Sequence, residues 1–524
     1  MPAAITGPAP AVPQPDDSRV ATGIAGLDDI LNGGLTRDRV YLVEGTPGTG
    51  KTTLSLQFLL EGAKRGEVGL YITLSETAEE LRAVAATHGW SLDALSLFEL
   101  VDEAGLDPDS EQSILHPSEV ELGETTRAVM QQVEALRPSR VVFDSLSEMR
   151  LLAQNPLRYR RQILAFKQFF ASRQCTVLLL DDRTSEPTDL QLHSIAHGVI
   201  SLEQVPRDFG SERRRLRVIK MRGVKFLGGY HDFRLDTGGL ILFPRLVAAA
   251  HRRDRADVSS STGNAGLDAL LGGGLVSGTN TLLTGPSGAG KTTTAVRCVL
   301  AALERGERAT YYLFDEGLHT LMERSASLGM DLRSYVESGL LTIQQIDTAE
   351  LSPGEFACRV REAVELHGSS MLVVDSLNAY QHAMPGEQYL ILQLHELLNY
   401  LNQRGVKTLM ILGQHGLVGE VRADFDLSYL SDSILLFRFF EAHGEVRTAI
   451  SVLKSRTSRH EHSIREFRLG SGGLQVGEAL RDFEGVLSGL PTYRGETSML
   501  QADGSPQAGP QASRTSVAGG STGA

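Results

Sequence analysis

The strongest constraint on this chain is a short loop that occurs twice. Gly45-Thr-Pro-Gly-Thr-Gly-Lys51-Thr52 follows the apolar run Val40–Val43 and precedes Leu54–Leu60. Gly285-Pro-Ser-Gly-Ala-Gly-Lys291-Thr292 follows Thr281–Thr284. Each stretch reads as strand, glycine-rich loop, helix. The glycines let backbone N–H groups curl around phosphate oxygens, and the helix N-terminus adds positive partial charge. The lysine then reaches the β- and γ-phosphates, and the next threonine hydroxyl ligates Mg²⁺. A tight strand-to-helix turn can match this pattern by chance. Two matches in one context, 240 residues apart (291 − 51), point instead to two nucleotide sites. The first would use Gly45, Thr46, Gly48, Thr49, Gly50, Lys51, Thr52 and Thr53. The second would use Gly285, Ser287, Gly288, Ala289, Gly290, Lys291, Thr292 and Thr293.

The repetition extends beyond the loops. Thr22-Gly-Ile-Ala-Gly-Leu-Asp28 returns as Thr262-Gly-Asn-Ala-Gly-Leu-Asp268, Asp144-Ser-Leu146 as Asp375-Ser-Leu377, and Lys220-Met-Arg222 as Lys454-Ser-Arg456. The offset drifts only from 240 to 231 (375 − 144) and 234 (454 − 220), as tandem copies of one fold with variable loops should. Within the first copy, the β-rich runs Gly69–Leu74, Arg140–Phe143 and Thr176–Leu180 alternate with helical patterns at Ala78–Thr87 and Arg158–Ser172. Continuous apolar runs of this kind fit strands buried on both faces of a parallel sheet. An antiparallel patch follows at Leu216–Met221, Tyr230–Leu235 and Leu240–Phe243. The expected fold is therefore α/β: two tandem P-loop nucleotide-binding domains, each a mainly parallel sheet flanked by helices, with the ligand at the C-terminal strand edge. The expected bounds are 19–248 for the first domain, 249–258 for a linker and 259–490 for the second. Residues 1–18 and 491–524 read as disordered tails, the latter rich in Ala, Gly, Ser and Gln. The charged linker centre His251–Arg255 and the run Arg213–Arg215 read as a solvated connection and a loop between strands. Asp102–Leu122 reads as a mobile acidic surface loop.

Composition narrows the function classes. A net charge of −13 counts against sequence-independent binding of nucleic acid. The three cysteines, Cys175, Cys298 and Cys358, make neither a disulfide framework nor a metal-ligand spacing, which fits a cytoplasmic setting. No run is apolar and long enough to cross a membrane, and Met1–Gln14 lacks the marks of a signal peptide.

Phosphoryl transfer also needs a metal-directed carboxylate, a group that orients the nucleophile, and positive charge on the γ-phosphate. Asp144 and Asp375 each close an apolar run, where the first belongs. Glu76, and Asp315 or Glu316, stand just after the second strand and can orient or deprotonate the attacking oxygen. The same carboxylates would serve equally as caps or first-turn acids of the following helix. Lys220 with Arg222, and Lys454 with Arg456, recur two apart on one strand face, far from the loops in sequence, which suggests a γ-phosphate clamp supplied to a neighbouring subunit.

Taken together, the TG-x-x-GLD openings, the two loops, the DSL strand ends, the K-x-R strands and Leu480–Thr492 resemble the KaiC family, two-domain clock ATPases and autokinases of the RecA-like superfamily. The resemblance covers roughly residues 19–493. It implies ATP with Mg²⁺, held by Thr52 and Asp144 and by Thr292 and Asp375, at the subunit interfaces of a homohexamer. It implies slow hydrolysis in the first ring and phosphoryl transfer to a Ser/Thr pair in the second. That pair falls at Ser428 and Tyr429, where tyrosine replaces the expected threonine. The tyrosine ring carries its hydroxyl further from the backbone, so the geometry that suits Ser428 does not suit Tyr429. A second departure is Ser75, which stands where the family has the first of two glutamates; Asp315 keeps a carboxylate there in the second copy. The acidic loop near Asp107 lies where the family meets a KaiB-type partner, whereas the tail shows no evident helix for a KaiA-type one. Two other function classes share the fold: a RecA/DnaB-like DNA-dependent motor, and a nucleotide-gated hexameric scaffold. Stimulation of ATPase by single-stranded DNA separates the first, and phosphate release the second.

Overall fold

A computed structural model describes residues 18–100, 117–153, 155–183, 190–206, 210–251, 258–347, 349–382, 390–414, 428–442, 444–470, 473–487 and 492–493. Within the expected C-terminal tail, Thr492–Tyr493 form a short strand paired with Phe483–Glu484; residues 1–17 and 494–524 of the tails, the core of the linker and residues 102–116 of the acidic loop, with Asp107, lie outside the described residues. The chain divides into two compact units, Met1–Arg255 with Gln345–Ser369 and Ala379–Arg404, and Ala256–Gln344 with Ser370–Asn378 and Gly405–Ala524.

The first unit is built on a nine-stranded sheet. From one edge its strands are Gly239–Phe243, Tyr230–Asp236, Arg213–Met221, Gly198–Val205, Val40–Gly45, Thr176–Asp182, Arg140–Asp144, Gly69–Thr73 and Ser96–Glu99. The last six run parallel and the first three are added antiparallel. Alternation along the Val40–Gly45 strand explains why helices cover both faces. Tyr41 and Val43 pack with Leu54, Phe58 and Leu59 of the helix Lys51–Lys64. Val40 and Leu42 pack on the opposite side with Met149, Ile163, Phe166 and Phe170. The helix Ala78–Thr87 starts at Thr77, whose hydroxyl accepts from Glu80 N while the Glu80 carboxylate accepts from Thr77 N, a reciprocal cap.

The second sheet has the same plan, in the order Leu341–Gln345, Ala309–Leu313, Met371–Asp375, Lys407–Gly413, Asn280–Gly285, Ser433–Ala442, Glu445–Ser455, Arg465–Gly470 and Gly473–Ala479. Its core gathers Leu283, Val296, Val299, Tyr311, Val373, Ile411 and Phe437 around the helix Lys291–Glu304. The expected α/β architecture of tandem, mostly parallel sheets with flanking helices is the one observed.

Two sequence expectations are corrected. Arg213–Arg215 is not a loop: it opens the strand Arg213–Met221, paired with Val205, Gln204 and Glu203. Three adjacent arginines tolerate the strand because Glu203 lies 3.6 Å from Arg215, Glu212 lies 3.3 Å from Arg214, and the Arg215 guanidinium stacks on the Tyr230 ring at 4.6 Å. The acidic loop is also shorter than expected. A helix begins at Pro117 and runs to Leu136, and proline suits a first helical position because its missing N–H is needed by no bond there.

His231 locks the antiparallel patch. It is buried, Nδ1 accepts from Arg245 N–H at 2.9 Å, and Nε2 donates to the Leu227 carbonyl at 3.0 Å. Burial holds its pKa down to about 4. The folded ring is thus neutral while the unfolded one takes a proton below about pH 6.5, so its contribution to stability is full above that value and falls as pH drops toward 4. Between pH 7 and 5 the loss is about 2 kcal/mol. Urea unfolding followed through Trp90, the single tryptophan, should show the native chain losing about that much more than His231→Asn over this range. Equal losses would mean that the ring does not titrate differently in the fold.

Candidate functional site

Both loops leave the C-terminal end of a central strand and enter a long helix. Gly50 and Gly290, the residues before Lys51 and Lys291, have φ of 97° and 95°, a left-handed conformation that favours glycine. A Cβ on Gly45 would lie 2.6 Å from Thr49 Oγ1 and 2.7 Å from the Leu202 carbonyl, so the close turn needs a glycine there. The lysines curl back into their own loops. Lys51 Nζ donates to the carbonyls of Gly45 at 2.8 Å and Thr46 at 3.2 Å; Lys291 Nζ donates to those of Gly285 at 2.8 Å and Pro286 at 2.6 Å. Here the copies diverge. Lys51 also pairs with Asp182 at 2.7 Å, whereas burial holds the Lys291 amine down to about 8.

Asp144 and Asp375 end the strands next but one to the loop strands. Both are buried, and burial raises both pKa values. Tyr71 and Tyr311 donate to them at 2.5 and 2.7 Å, and Thr292 donates to Asp375 at 2.9 Å. The peptide bond after each aspartate is cis.

The acids after the second strand are not helix caps. Thr77 caps the first helix, leaving Glu76 outside it, with its Oε2 buried and without a hydrogen bond. Burial, then the charge of Asp144, raises its pKa. In the second copy the cap is Gly317, with no side-chain bond. There the two acids separate: Glu316 is held at both oxygens by Arg324, each at 2.8 Å, while Asp315 accepts from Ser376 Oγ at 2.5 Å. Val84 stands where an arginine equivalent to Arg324 would be, which is why Glu76 has no such partner.

The K-x-R pairs lie elsewhere. Each strand ends one residue before its arginine, yet both side chains of a pair converge on one group of carbonyls. Lys220 reaches His193 and Ala196, and Arg222 reaches Ser194. Lys454 reaches Ser428 at 2.6 Å and Ser431 at 2.7 Å, and Arg456 reaches Tyr429 at 3.3 Å. Register fixes their depth. Lys220 pairs with Val199, which pairs with Leu42; Lys454 pairs with Ile434, which pairs with Leu282. Both lie three residues back from the loop glycine, about 10 Å at 3.3 Å per residue. The cations and Ser428 thus gather toward the N-terminal edge of the sheet, away from the loop of their own copy.

A family model described as the KaiC ATPase matches residues 20–247 and again 260–481. The chain belongs to the KaiC ATPase family. It is similar to the circadian clock protein KaiC3 of Synechocystis, 25% identical over 497 residues that cover 93% of this chain and 97% of the relative. It is also 27% identical to the circadian clock oscillator protein KaiC of Synechococcus elongatus, over 91% of this chain and 92% of that protein. The oscillator protein KaiC of Parathermosynechococcus lividus matches at 27%, over 90% and 87%. No described helix is long and apolar enough to cross a membrane.

Sequence reasoning missed four members of this KaiC-type site: Tyr71, Tyr311, Arg324 and Asp182. The tyrosines read as apolar strand residues, and only the ladder shows their hydroxyls meeting the neighbouring strand end. Arg324 lies eight residues from Glu316, a spacing with no local signature. Asp182 did carry a signal, since it closes an apolar run just as Asp144 does.

Proposed function

We propose that this KaiC-family protein binds Mg²⁺-ATP at both loops, assembles into homohexamers with ATP at the subunit interfaces, hydrolyses it in the first copy, and transfers a phosphoryl group to Ser428 of a neighbouring subunit in the second. One observation carries the in-trans part. The K-x-R cations and Ser428 sit toward the sheet edge opposite the phosphate loop of their own copy, so a γ-phosphate reaches them only from another subunit.

Several features of the chain suit ATP. The lysines are buried against carbonyls that an anion would displace, and the 14-residue helices Lys51–Lys64 and Lys291–Glu304 point their free N–H groups at the loops. Thr52 with Asp144, and Thr292 with Asp375, supply the hard oxygen donors that Mg²⁺ takes, and the Thr292–Asp375 contact already brings two of them together. When bound, the ion would offset the charge of the phosphates.

In the second copy Asp315 is the carboxylate positioned to accept the Ser428 proton, because Glu316 is engaged by Arg324. The Ser428 oxygen bonds to the γ-phosphorus as the bond to the bridging oxygen breaks, and ADP leaves with that electron pair. The subunit that presents Ser428 also presents Lys454, already bonded to the Ser428 carbonyl, so acceptor and stabilising charge arrive together. In the first copy water is the acceptor, and Glu76 is the one carboxylate that follows the second strand, since Ser75 stands where the second copy has Asp315. Lys220 and Arg222 supply the matching charge. A KaiB-type protein is the expected partner, by family resemblance.

Lys51→Ala and Lys291→Ala should each remove about half of the bound nucleotide, and light scattering should show hexamers with ATP and smaller species without it. Full occupancy in Lys51→Ala, or one size in both conditions, contradicts the scheme. Phosphopeptide mapping after incubation with Mg²⁺-ATP should find phosphate on Ser428, absent in Asp315→Ala and Lys291→Ala. Phosphate release without Ser428 modification would leave an ATPase only.

A further inference from the structure

The two sites differ in where they keep a carboxylate, and the difference is coordinated across four positions. After the second strand, the first copy has Ser75 where the second has Asp315. At the end of the strand beside the loop strand, the relation reverses. Gly45 is paired with Asp182 in the first sheet, and Gly285 with Gly413 in the second. A third position follows: three residues after the buried metal-directed aspartate the first copy has Ser147 and the second has Asn378.

These changes fit one another sterically. Asn378 Oδ1 accepts from Gly413 N–H at 2.6 Å, and a Cβ on Gly413 would lie 3.2 Å from that same oxygen, so asparagine crowds the space in which an aspartate would begin. The smaller Ser147 keeps the backbone contact, accepting from Asp182 N–H at 3.3 Å, and leaves room for the Asp182 carboxylate, to which it donates at 3.2 Å. The serine after the buried aspartate is rewired to match. Ser376 donates directly to Asp315. Ser145 shares a hydrogen bond with Ser147 at 2.9 Å; because the single Ser147 proton goes to Asp182, Ser145 is the donor. In both copies this serine therefore supports a carboxylate, through one bond to Asp315 or two to Asp182.

We propose that Asp182 is the water-positioning carboxylate of the first site, doing there what Ser75 cannot and what Asp315 does in the second. This rests on the reading of Gly45–Thr52 as an ATP site. Asp182 lies 2.7 Å from the amine of Lys51, the group that takes the γ-phosphate, so it borders the space where that phosphate and its attacking water must meet. Water adds its oxygen to the γ-phosphorus, the bond to the bridging oxygen breaks, ADP leaves with the electron pair, and the released proton passes by way of Asp182 to solvent. The same contact makes Asp182 a counter-ion of Lys51, so a nucleotide phosphate competes with it for the amine. Asp182 therefore weakens ground-state binding while it assists the chemical step.

That combination separates the role from a structural one. In the Lys291→Ala chain, where only the first site is filled, Asp182→Asn should lower kcat for phosphate release at least tenfold. Its affinity for a non-hydrolysable ATP analogue should be unchanged or tighter. Adding Ser75→Asp to that chain should restore part of the turnover by returning the carboxylate to the position it has in the second copy. Turnover within twofold of the parent, or analogue affinity that falls in step with kcat, would overturn the assignment and leave the ATP site standing. A Lys291→Ala parent that neither binds the analogue nor releases phosphate would remove both.

Discussion

Everything in this molecule that faces a phosphate depends on the parallel ladder. Parallel strands deliver their C-terminal ends to one edge, and hydrogen-bonded register fixes which residues stand side by side. Gly45 lies opposite Asp182, and Thr73 opposite Asp144. Groups 137 and 71 residues apart in sequence thereby meet within a few ångströms, before any side chain has chosen a rotamer. The same ladder sends the antiparallel return strands back toward the other edge and carries Lys220 and Lys454 with them. A chain folded in this way carries its loops at one edge and these cations toward the other, the arrangement on which the proposed in-trans site rests.

Keeping ionisable groups buried at the strand ends is costly unless each is paired or finds a counter-ion. The structure handles this with donors from neighbouring strands. Tyr71 and Tyr311 solvate Asp144 and Asp375, and loop carbonyls solvate the lysines. What solvation leaves undone appears as shifted pKa values: the aspartates are raised by burial and Lys291 is lowered to about 8. In the second copy a carboxylate short of a cation stands beside an amine short of an anion, and under the proposed function Mg²⁺-ATP would relieve both at once.

The sequence was most legible where local chemistry determines the structure. Glycines with left-handed φ, buried β-rich runs and the helix Ala78–Thr87 follow from short-range rules, and the observed elements match them. It was least legible where a contact depends on long-range register. Whether Asp315 or Glu316 is the available carboxylate could not be settled from two adjacent acids; it depends on Arg324, in the second turn of the next helix. Whether Glu76 is a cap turned on Thr77 holding that position with Glu80 as its partner. Arg213–Arg215 looked like a loop because charge runs usually are, and the strand stands because Glu203, Glu212 and the Tyr230 ring flank the guanidinium groups.

Duplication explains why the two halves agree in backbone and differ in wiring. The ladder tolerates few changes, since a one-residue slip would turn every buried side chain to the wrong face. Strand ends are freer, but each one touches another, so a change there requires a matching change nearby. Aspartate at 182 needs serine at 147, just as glycine at 413 accompanies asparagine at 378. Such matched sets can move a carboxylate from one strand end to another without disturbing the sheet beneath. The phosphate loop and the buried aspartate remain because the ladder fixes them. A carboxylate beside the loop can relocate, from residue 315 in one copy to residue 182 in the other, and under the proposed scheme this turns one copy toward water and the other toward a serine.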